Sequence, residues 1–321
     1  MSPIQSPAAR TIGLTTWLLR HTAEFDLVHI HSLFSYAATA AATVAFRRSV
    51  PYVLRPLGVL NRWGLHSGRA WVKKLSIRLI ESGIIRRAAA IQFSSMTERL
   101  ETEEVCPRGR AVVIPNPVDL DPPVERGLFR ARYPSIGRRP IILFLARLAP
   151  VKGVELLLDA FRIVRSRNPQ AVLVVAGSGE DRYVDDLRSL AHNVCRGGEV
   201  VWTGFLDRDA KAAALADANV FVVPSQSESF GLAAVEAFAA GVPTVITEKV
   251  GIADEVASSG AGLVVRSEAC AMAGAIESIL NDSNLASSLS TRARSLVTSR
   301  YQPDAVAAQL IKLYQEIGCR P

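Results

Sequence analysis

Cysteine is scarce in this chain of 321 residues: Cys106, Cys195, Cys270 and Cys319 stand far apart, with no CxxC or CxxH spacing. That excludes a disulfide framework or a zinc site built on such spacings, and the expected setting is a reducing cytoplasm. Long apolar runs are missing too, since none reaches the roughly 20 residues that a membrane-spanning helix needs. Met1–Arg10 lacks the apolar core of a signal peptide, so export is not expected. Acid is nearly absent from one stretch: between Arg47 and Arg87, ten basic residues stand against Glu81 alone. Aromatic residues do not interleave with these charges, so no nucleic-acid surface is expected.

The formal charge of +7 is therefore uneven. Residues 1–110 hold fifteen Arg or Lys and seven Asp or Glu, a net of +8, which leaves the remainder close to neutral. The stretch 47–87 suits an anionic partner such as phospholipid headgroups or a lipid-phosphate acceptor. A solvated helix face is the plainer alternative.

What is present is an alternation of short β-branched runs with longer helical patterns, the signature of βα units on parallel sheets. In the first half, strands are expected at 26–30, 52–54, 89–92 and 111–114. Helices are expected at 11–20 and 69–87, the second with Trp71, Leu75, Leu79 and Ile80 as its apolar face. The Pro- and Asp-rich segment 114–127 reads as a linker. The second half predicts six strands, at 140–146, 171–176, 199–203, 220–223, 244–247 and 262–265. Each is followed by a helix, including 153–167, 207–216 with Asp207 as N-cap, and 230–240. Six strands with crossover helices describe a doubly wound, Rossmann-like domain. The first half shows four strands and no opening glycine-rich turn, so its domain is expected to be incomplete. Two helices, 283–299 and 303–317, end the chain.

Three clusters carry chemistry. The segment PSQSESFGLAAVEA (224–237) follows an apolar strand, with Glu228 in the loop and Phe230-Gly231 opening a helix. The first N–H groups of that helix point to the strand's C-terminal edge, where ligands bind in open α/β sheets. Glu236 lies about a turn and a half into the helix, where a carboxylate can accept from two vicinal hydroxyls. Taken alone, both glutamates could be ordinary surface acids. In ARLAPVKG (146–153), Arg147 and Lys152 sit on a loop before a helix N-terminus, a setting for a diphosphate or for a solvated basic loop. In AGSGED (176–181), Gly177 belongs to a tight strand-to-helix turn, in itself a weak signal.

In this order the three clusters resemble the family 4 retaining glycosyltransferases of the GT-B fold, whose signature is an E-x7-E motif. The DLVHIH strand, the RPLGVL loop, VIPNPVD and the final YQPDAVAAQLIKLYQEI helix have counterparts there as well. The resemblance implies an α/β protein with two Rossmann-like domains facing across a cleft. These are an acceptor-side domain over 1–125, shortened at its start, and a nucleotide-sugar domain over 126–300. A helix over 301–321 would pack back on the first.

The same resemblance implies that Arg147 and Lys152 hold the donor diphosphate and offset its charge as it departs. Glu228 would take sugar hydroxyls and Glu236 the ribose, with Gly177 among the donor-binding residues. Backbone N–H groups over Ser229, Phe230, Gly231 and Leu232 would cover sugar and phosphate. His31 would sit near the reacting sugar and acceptor, a strand-end histidine satisfied by backbone being its plain alternative, while His29 reads as structural. The resemblance implies no metal and no cofactor. No Asp-x-Asp pair is placed beside a diphosphate, Asp119 and Asp121 lying in the linker. The implied partners are a nucleotide sugar donor and a glycan or lipid-linked acceptor, at a cytoplasmic or peripheral membrane location, in exopolysaccharide or cell-envelope synthesis. The rival readings are a non-catalytic nucleotide-sugar-binding remnant or subunit, and an epimerase of the nucleotide sugar.

Overall fold

Among the described residues, ten short strands pair in parallel into two separate sheets. They belong to a computed structural model that describes residues 7–60, 70–105, 109–119, 124–194 and 199–318. The first sheet contains β1 (Val28–His31), β2 (Tyr52–Arg55), β3 (Ala90–Phe93) and β4 (Ala111–Val113), in the order β1-β2-β3-β4. The second contains β5 (Ile141–Leu145), β6 (Val172–Ala176), β7 (Val200–Gly204), β8 (Val220–Val223), β9 (Thr244–Thr247) and β10 (Leu263–Val265). Its order is β10-β9-β8-β5-β6-β7. The chain divides into two compact units: Met1–Pro115 with Val306–Pro321, and Asn116–Ala305.

The second unit is doubly wound. Successive strand residues point to opposite faces, so each strand feeds two cores. Ile141, Leu143, Val172, Val174 and Phe221 enter one, and Ile142, Phe144, Leu173, Val175 and Val220 enter the other. Helices cover both faces, which is why these strands read as unbroken apolar runs rather than as alternation. The strand order reverses between β5 and β8, and the crevice outside their C-terminal ends is a topological switch point. Asp207 accepts from the Ala210 N–H (2.9 Å) and caps the helix Arg208–Asp217, as expected.

The first unit runs through its four strands in one direction, without reversal among the described residues. One face packs Ile30, Tyr52, Leu54, Ile91 and Phe93 under Ile84 and Ile85. The other packs Val53, Ala90 and Ile114 against Val306 and Leu313 of the helix Pro303–Ile317. His29 Nδ1 lies 2.7 Å from the Tyr314 hydroxyl, and Arg110 pairs with Glu316, so polar contacts fix that helix at two further points.

Two expectations about helices need correction. The helical stretch at 70–87 is present as Ala70–Ser76, a π-type segment Ile77–Glu81 and Ser82–Arg87. Its expected apolar face is solvent-exposed: Trp71 by 71%, Leu75 by 49%, Leu79 by 69% and Ile80 by 46%. The stretch carries a second apolar set, Ile77, Ile84 and Ile85, and it is this one that packs with the core. The extra residue accommodated by the wide π turn rotates the facing of the residues C-terminal to it, and Glu81 ends up 2% exposed. The helix expected from Phe230 begins at Leu232. Gly231, at φ +104°, lies outside helical conformation and becomes the N-cap, while the Phe230 ring is buried edge-on to Tyr301 at 5.7 Å.

Candidate functional site

The loops after β5 and β8, on the two sides of the switch point, are stitched together. The Gln226 N–H donates to the Val151 carbonyl at 2.8 Å. Gly153 has φ +68°, and a Cβ there would stand 2.1 Å from the Pro224 carbonyl oxygen. Only glycine lets the two backbones approach so closely. That approach brings Lys152, in the turn Pro150–Lys152, against Glu228, and their side chains form an ion pair with 19% and 22% exposure. The Glu228 backbone is fixed in turn by the loop after β9: its N–H donates to the Lys249 carbonyl (3.1 Å) and its carbonyl accepts from Gly251 (2.7 Å).

Arg147 stands at the start of the same loop after β5. With Leu148, Ser178, Gly179, Glu180 and Tyr183 it lines a cavity of about 520 Å³ between the loops after β5 and β6. Leu148 N–H donates to the Ser178 carbonyl (2.8 Å), and Gly177 N–H to that of Gly204 (2.8 Å). A Cβ on Gly177 would fall 1.8 Å from the Ala146 carbonyl oxygen, so close backbone approach explains this glycine better than turn geometry alone. Tyr183 donates to Glu155 at 2.7 Å, and burial followed by that carboxylate pushes the phenol well above its ordinary range.

Past Glu228, Ser229 is half-buried and Phe230 turns its ring into the core, so Phe230 can offer a ligand only its backbone. The helix Leu232–Ala240 starts at the same edge, where its first N–H groups have no partner within the helix. Leu232 is 44% exposed. Glu236 pairs with Lys211 of the helix Arg208–Asp217 at 2.8 Å, both one quarter exposed. Together with Phe205 and Leu232 they line a large open cavity of about 1540 Å³. Lys211 was not anticipated, although with Arg208 it is one of two cations in an otherwise alanine-rich helix that follows a strand end.

In the first unit, His31 closes β1 opposite Arg55 of β2. Its ring lies 4.5 Å from that of His29. Burial first, then the Arg55 charge, lowers the pKa of His31; burial, His31 and Arg55 together hold His29 down to about 4. Both imidazoles are therefore disposed to be neutral near pH 7.

The loops beside His31 are strained. Ser32 (φ +80°), Phe34 (φ +57°) and Leu57 (φ +59°) occupy left-handed conformations that cost non-glycine residues about 1–2 kcal/mol each. Two buried carboxylates hold these loops. Glu81 accepts from Phe34 N–H at 3.2 Å. Glu98 accepts from Gly58 N–H (2.6 Å), Ser94 N–H (2.7 Å) and the Ser94 hydroxyl (2.6 Å). Neither was anticipated. For Glu98 a signal existed, since Ser95-x-x-Glu98 has the spacing of a capping box, and Ser95 Oγ indeed accepts from Glu98 N–H at 3.1 Å.

Comparison with known proteins agrees with this architecture. Residues 125–296 match the family model of glycosyl transferases group 1, and residues 2–117 match that of the glycosyl transferase 4-like domain. A GDP-mannose-dependent alpha-(1-6)-phosphatidylinositol monomannoside mannosyltransferase of Mycobacterium tuberculosis is 32% identical over 68% of this chain and 59% of its own length. The glycogen synthase of the same organism is 29% identical over 90% of this chain and 68% of its own. The chain thus spans about three fifths of the first relative. A crystal structure of Anabaena HepE in complex with UDP and glucose superimposes with a TM-score of 0.80 at 19% identity, over 98% of this chain and 84% of that one. The doubly wound second unit, the family match over most of that unit and the likeness in fold lead to one conclusion: the chain belongs to the glycosyl transferases group 1 family, with the GT-B fold.

Proposed function

We propose that this protein transfers a sugar, with retention and without a metal ion, from a nucleoside diphosphate sugar to a glycan or lipid-linked acceptor. The observation that carries the reading is the Lys152–Glu228 pair held at the switch point beside the N-terminus of the helix Leu232–Ala240. A diphosphate bound there meets Lys152, Arg147 and the first N–H groups of that helix, which supply the positive charge a departing phosphate needs. Lys152 is already engaged by Glu228, so donor binding re-partners the pair: Lys152 turns to phosphate and Glu228 to sugar hydroxyls. Glu236, paired with Lys211, is the acceptor for the ribose hydroxyls.

In the reaction the bond from sugar C1 to the β-phosphate oxygen breaks, and a bond from C1 to the acceptor oxygen forms on the same face. The acceptor proton passes to the departing phosphate, so no nucleophile from the protein is required. His31, neutral beside the strained loops of the first unit, is assigned to the acceptor side. Gly177 brings the phosphate-side turn close, and the backbone from Ser229 to Leu232 covers the donor. A lipid-linked acceptor at the inner membrane face, in exopolysaccharide or cell-envelope synthesis, completes the reading.

Calorimetry with UDP and GDP tests the donor site. Arg147→Ala and Lys152→Ala are each expected to weaken nucleoside diphosphate binding about tenfold or more, the effect of losing one charge-assisted contact. Unchanged affinity in both removes the assignment. Labelled UDP- and GDP-sugars with an acceptor extract then separate turnover from the alternative of a binding module, which would bind donor without transferring it.

A further inference from the structure

The stretch Ala70–Arg87 turns one apolar set inward and leaves the other in solvent. At 100° per residue, Trp71, Val72, Leu75 and Leu79 fall within about a third of the helix circumference. They are exposed by 71%, 38%, 49% and 69%. Large apolar side chains scattered singly on a surface need no explanation, but four on one stripe, a tryptophan among them, do. The charges around them have one sign. Lys73, Lys74, Arg78, Arg86 and Arg87 are the cations of this stretch, and Arg78, Arg86 and Arg87 are exposed. Its one acid, Glu81, is buried and occupied with the Phe34 N–H.

The patch extends onto the end of the neighbouring helix Tyr36–Arg47. There Phe46 is 51% exposed, and the Arg87 guanidinium lies 4.4 Å from its ring centre. Arg47 and Arg48 come next in the chain, both exposed. No helix among the described residues is long and apolar enough to cross a membrane. An exposed apolar stripe edged by cations and free of exposed acid is the chemistry of a helix lying in the plane of an anionic bilayer surface.

We infer that the stripe Trp71, Val72, Leu75 and Leu79, edged by Arg78, Arg86 and Arg87, docks this protein on an anionic lipid bilayer. The apolar side chains enter the headgroup–acyl boundary, and the arginines, together with Arg47 and Arg48, stay among the phosphates. The inference rests on the proposed membrane setting but not on the donor site, so the two can fail separately. If vesicle binding fails while UDP or GDP still binds, the docking face falls and the transferase reading stands.

Sedimentation of the full chain with vesicles tests it. One set of vesicles is phosphatidylcholine alone, and the other contains phosphatidylglycerol as well. Binding is expected to the second set and not the first, and to fall steeply at high salt. The triple substitution Trp71→Ser, Leu75→Ser, Leu79→Ser removes only exposed side chains, so thermal unfolding should be unchanged while partitioning drops about tenfold or more. Arg78→Glu with Arg86→Glu is expected to abolish the preference for the anionic lipid. Brominated lipid should quench tryptophan fluorescence in the wild type and quench it less in Trp71→Phe. Absence of binding to anionic vesicles, or equal binding by the wild type and the serine triple variant, overturns the inference. So does a wild-type dimer in solution that the triple variant dissociates, because a second copy would then be the occupant.

Discussion

The two units hold the loops at their sheet edges by opposite means. In the second unit, every described residue at positive φ is a glycine, among them Gly153, Gly177, Gly204 and Gly231 at the ends of strands or the starts of helices. In the first, all four non-glycine residues at positive φ among the described ones are found: Ser32, Phe34, Ser49 and Leu57. The second unit shapes its edge by backbone approach, with little conformational cost. The first stores strain beside His31 and retains it through carboxylates brought in from elsewhere in the chain, Glu81 and Glu98. Strain of this kind persists only where its surroundings over-determine it, and it concentrates at ligand sites. The contrast is what the proposed function asks of the two units: a donor edge that is built once and an acceptor edge adapted to a particular substrate.

The largest effect expected from breaking this contrast is at Glu98. Glu98→Ala leaves the Gly58 and Ser94 N–H groups without their acceptor in a buried setting, at about 1–3 kcal/mol each. A total of about 3–5 kcal/mol is a large fraction of a domain's stability. Denaturant unfolding should show the loss, while affinity for UDP or GDP, which the proposed donor site assigns to the second unit, should change little in the protein that remains folded. Glu98→Gln keeps one acceptor oxygen and should fall between. A loss below about 1 kcal/mol in Glu98→Ala would mean that the strained loop is held by something else.

This carboxylate also shows where sequence reading stops. The strands β8 and β9 were legible to the residue, because a β-branched run between turn residues has few other ways to be buried. The glutamates of the second unit stood out through spacing and a neighbouring glycine. The pairings themselves, Lys152 with Glu228 and Lys211 with Glu236, did not, since they cross 76 and 25 residues of chain. For the helical stretch at 70–87, periodicity located an apolar stripe and missed the second set, Ile77, Ile84 and Ile85, that packs with the core. A pattern can show that apolar residues share a face, but the sheet decides which of two such faces is buried. Glu98 lay inside a capping-box spacing that forecasts its bond with Ser95 and says nothing of Gly58, 40 residues earlier.

A second, smaller effect separates the units by pH. His29, half-buried between His31 and Tyr314, has its pKa held down to about 4 from its ordinary 6.5. The unfolded chain therefore binds a proton between these values that the folded chain refuses. The stabilisation is fully present above about pH 6.5 and is lost as pH falls towards 4. The sum reaches about 2–3 kcal/mol after allowing for partial exposure. His31, lowered in the same direction, adds to it. Unfolding followed from pH 7.5 to 4.5 should show the first unit weakening on acidification, and His29→Gln should flatten that slope. An unchanged slope in the variant would place the titrating group elsewhere.

The smallest effects make the sharpest comparison, because they are expected to have opposite signs. Gly204, at φ +69° after β7, would meet nothing within 4 Å if it gained a Cβ, so Gly204→Ala isolates the backbone cost and should destabilise by about 1 kcal/mol. Leu57, at φ +59°, is half exposed and sacrifices little packing when truncated. Leu57→Gly should relieve about 1–2 kcal/mol of left-handed strain and cost about 0.5–1 kcal/mol of backbone entropy, a net gain of roughly 0.5–1 kcal/mol. If thermal unfolding shows both variants destabilised, Leu57 is not strained in its present loop, and the two edges differ in sequence alone. If the signs divide as expected, the first unit keeps a conformation that a simpler residue would hold more cheaply. A more stable Leu57→Gly protein with impaired transfer would then identify the RPLG loop as the place where stability is given up for acceptor binding.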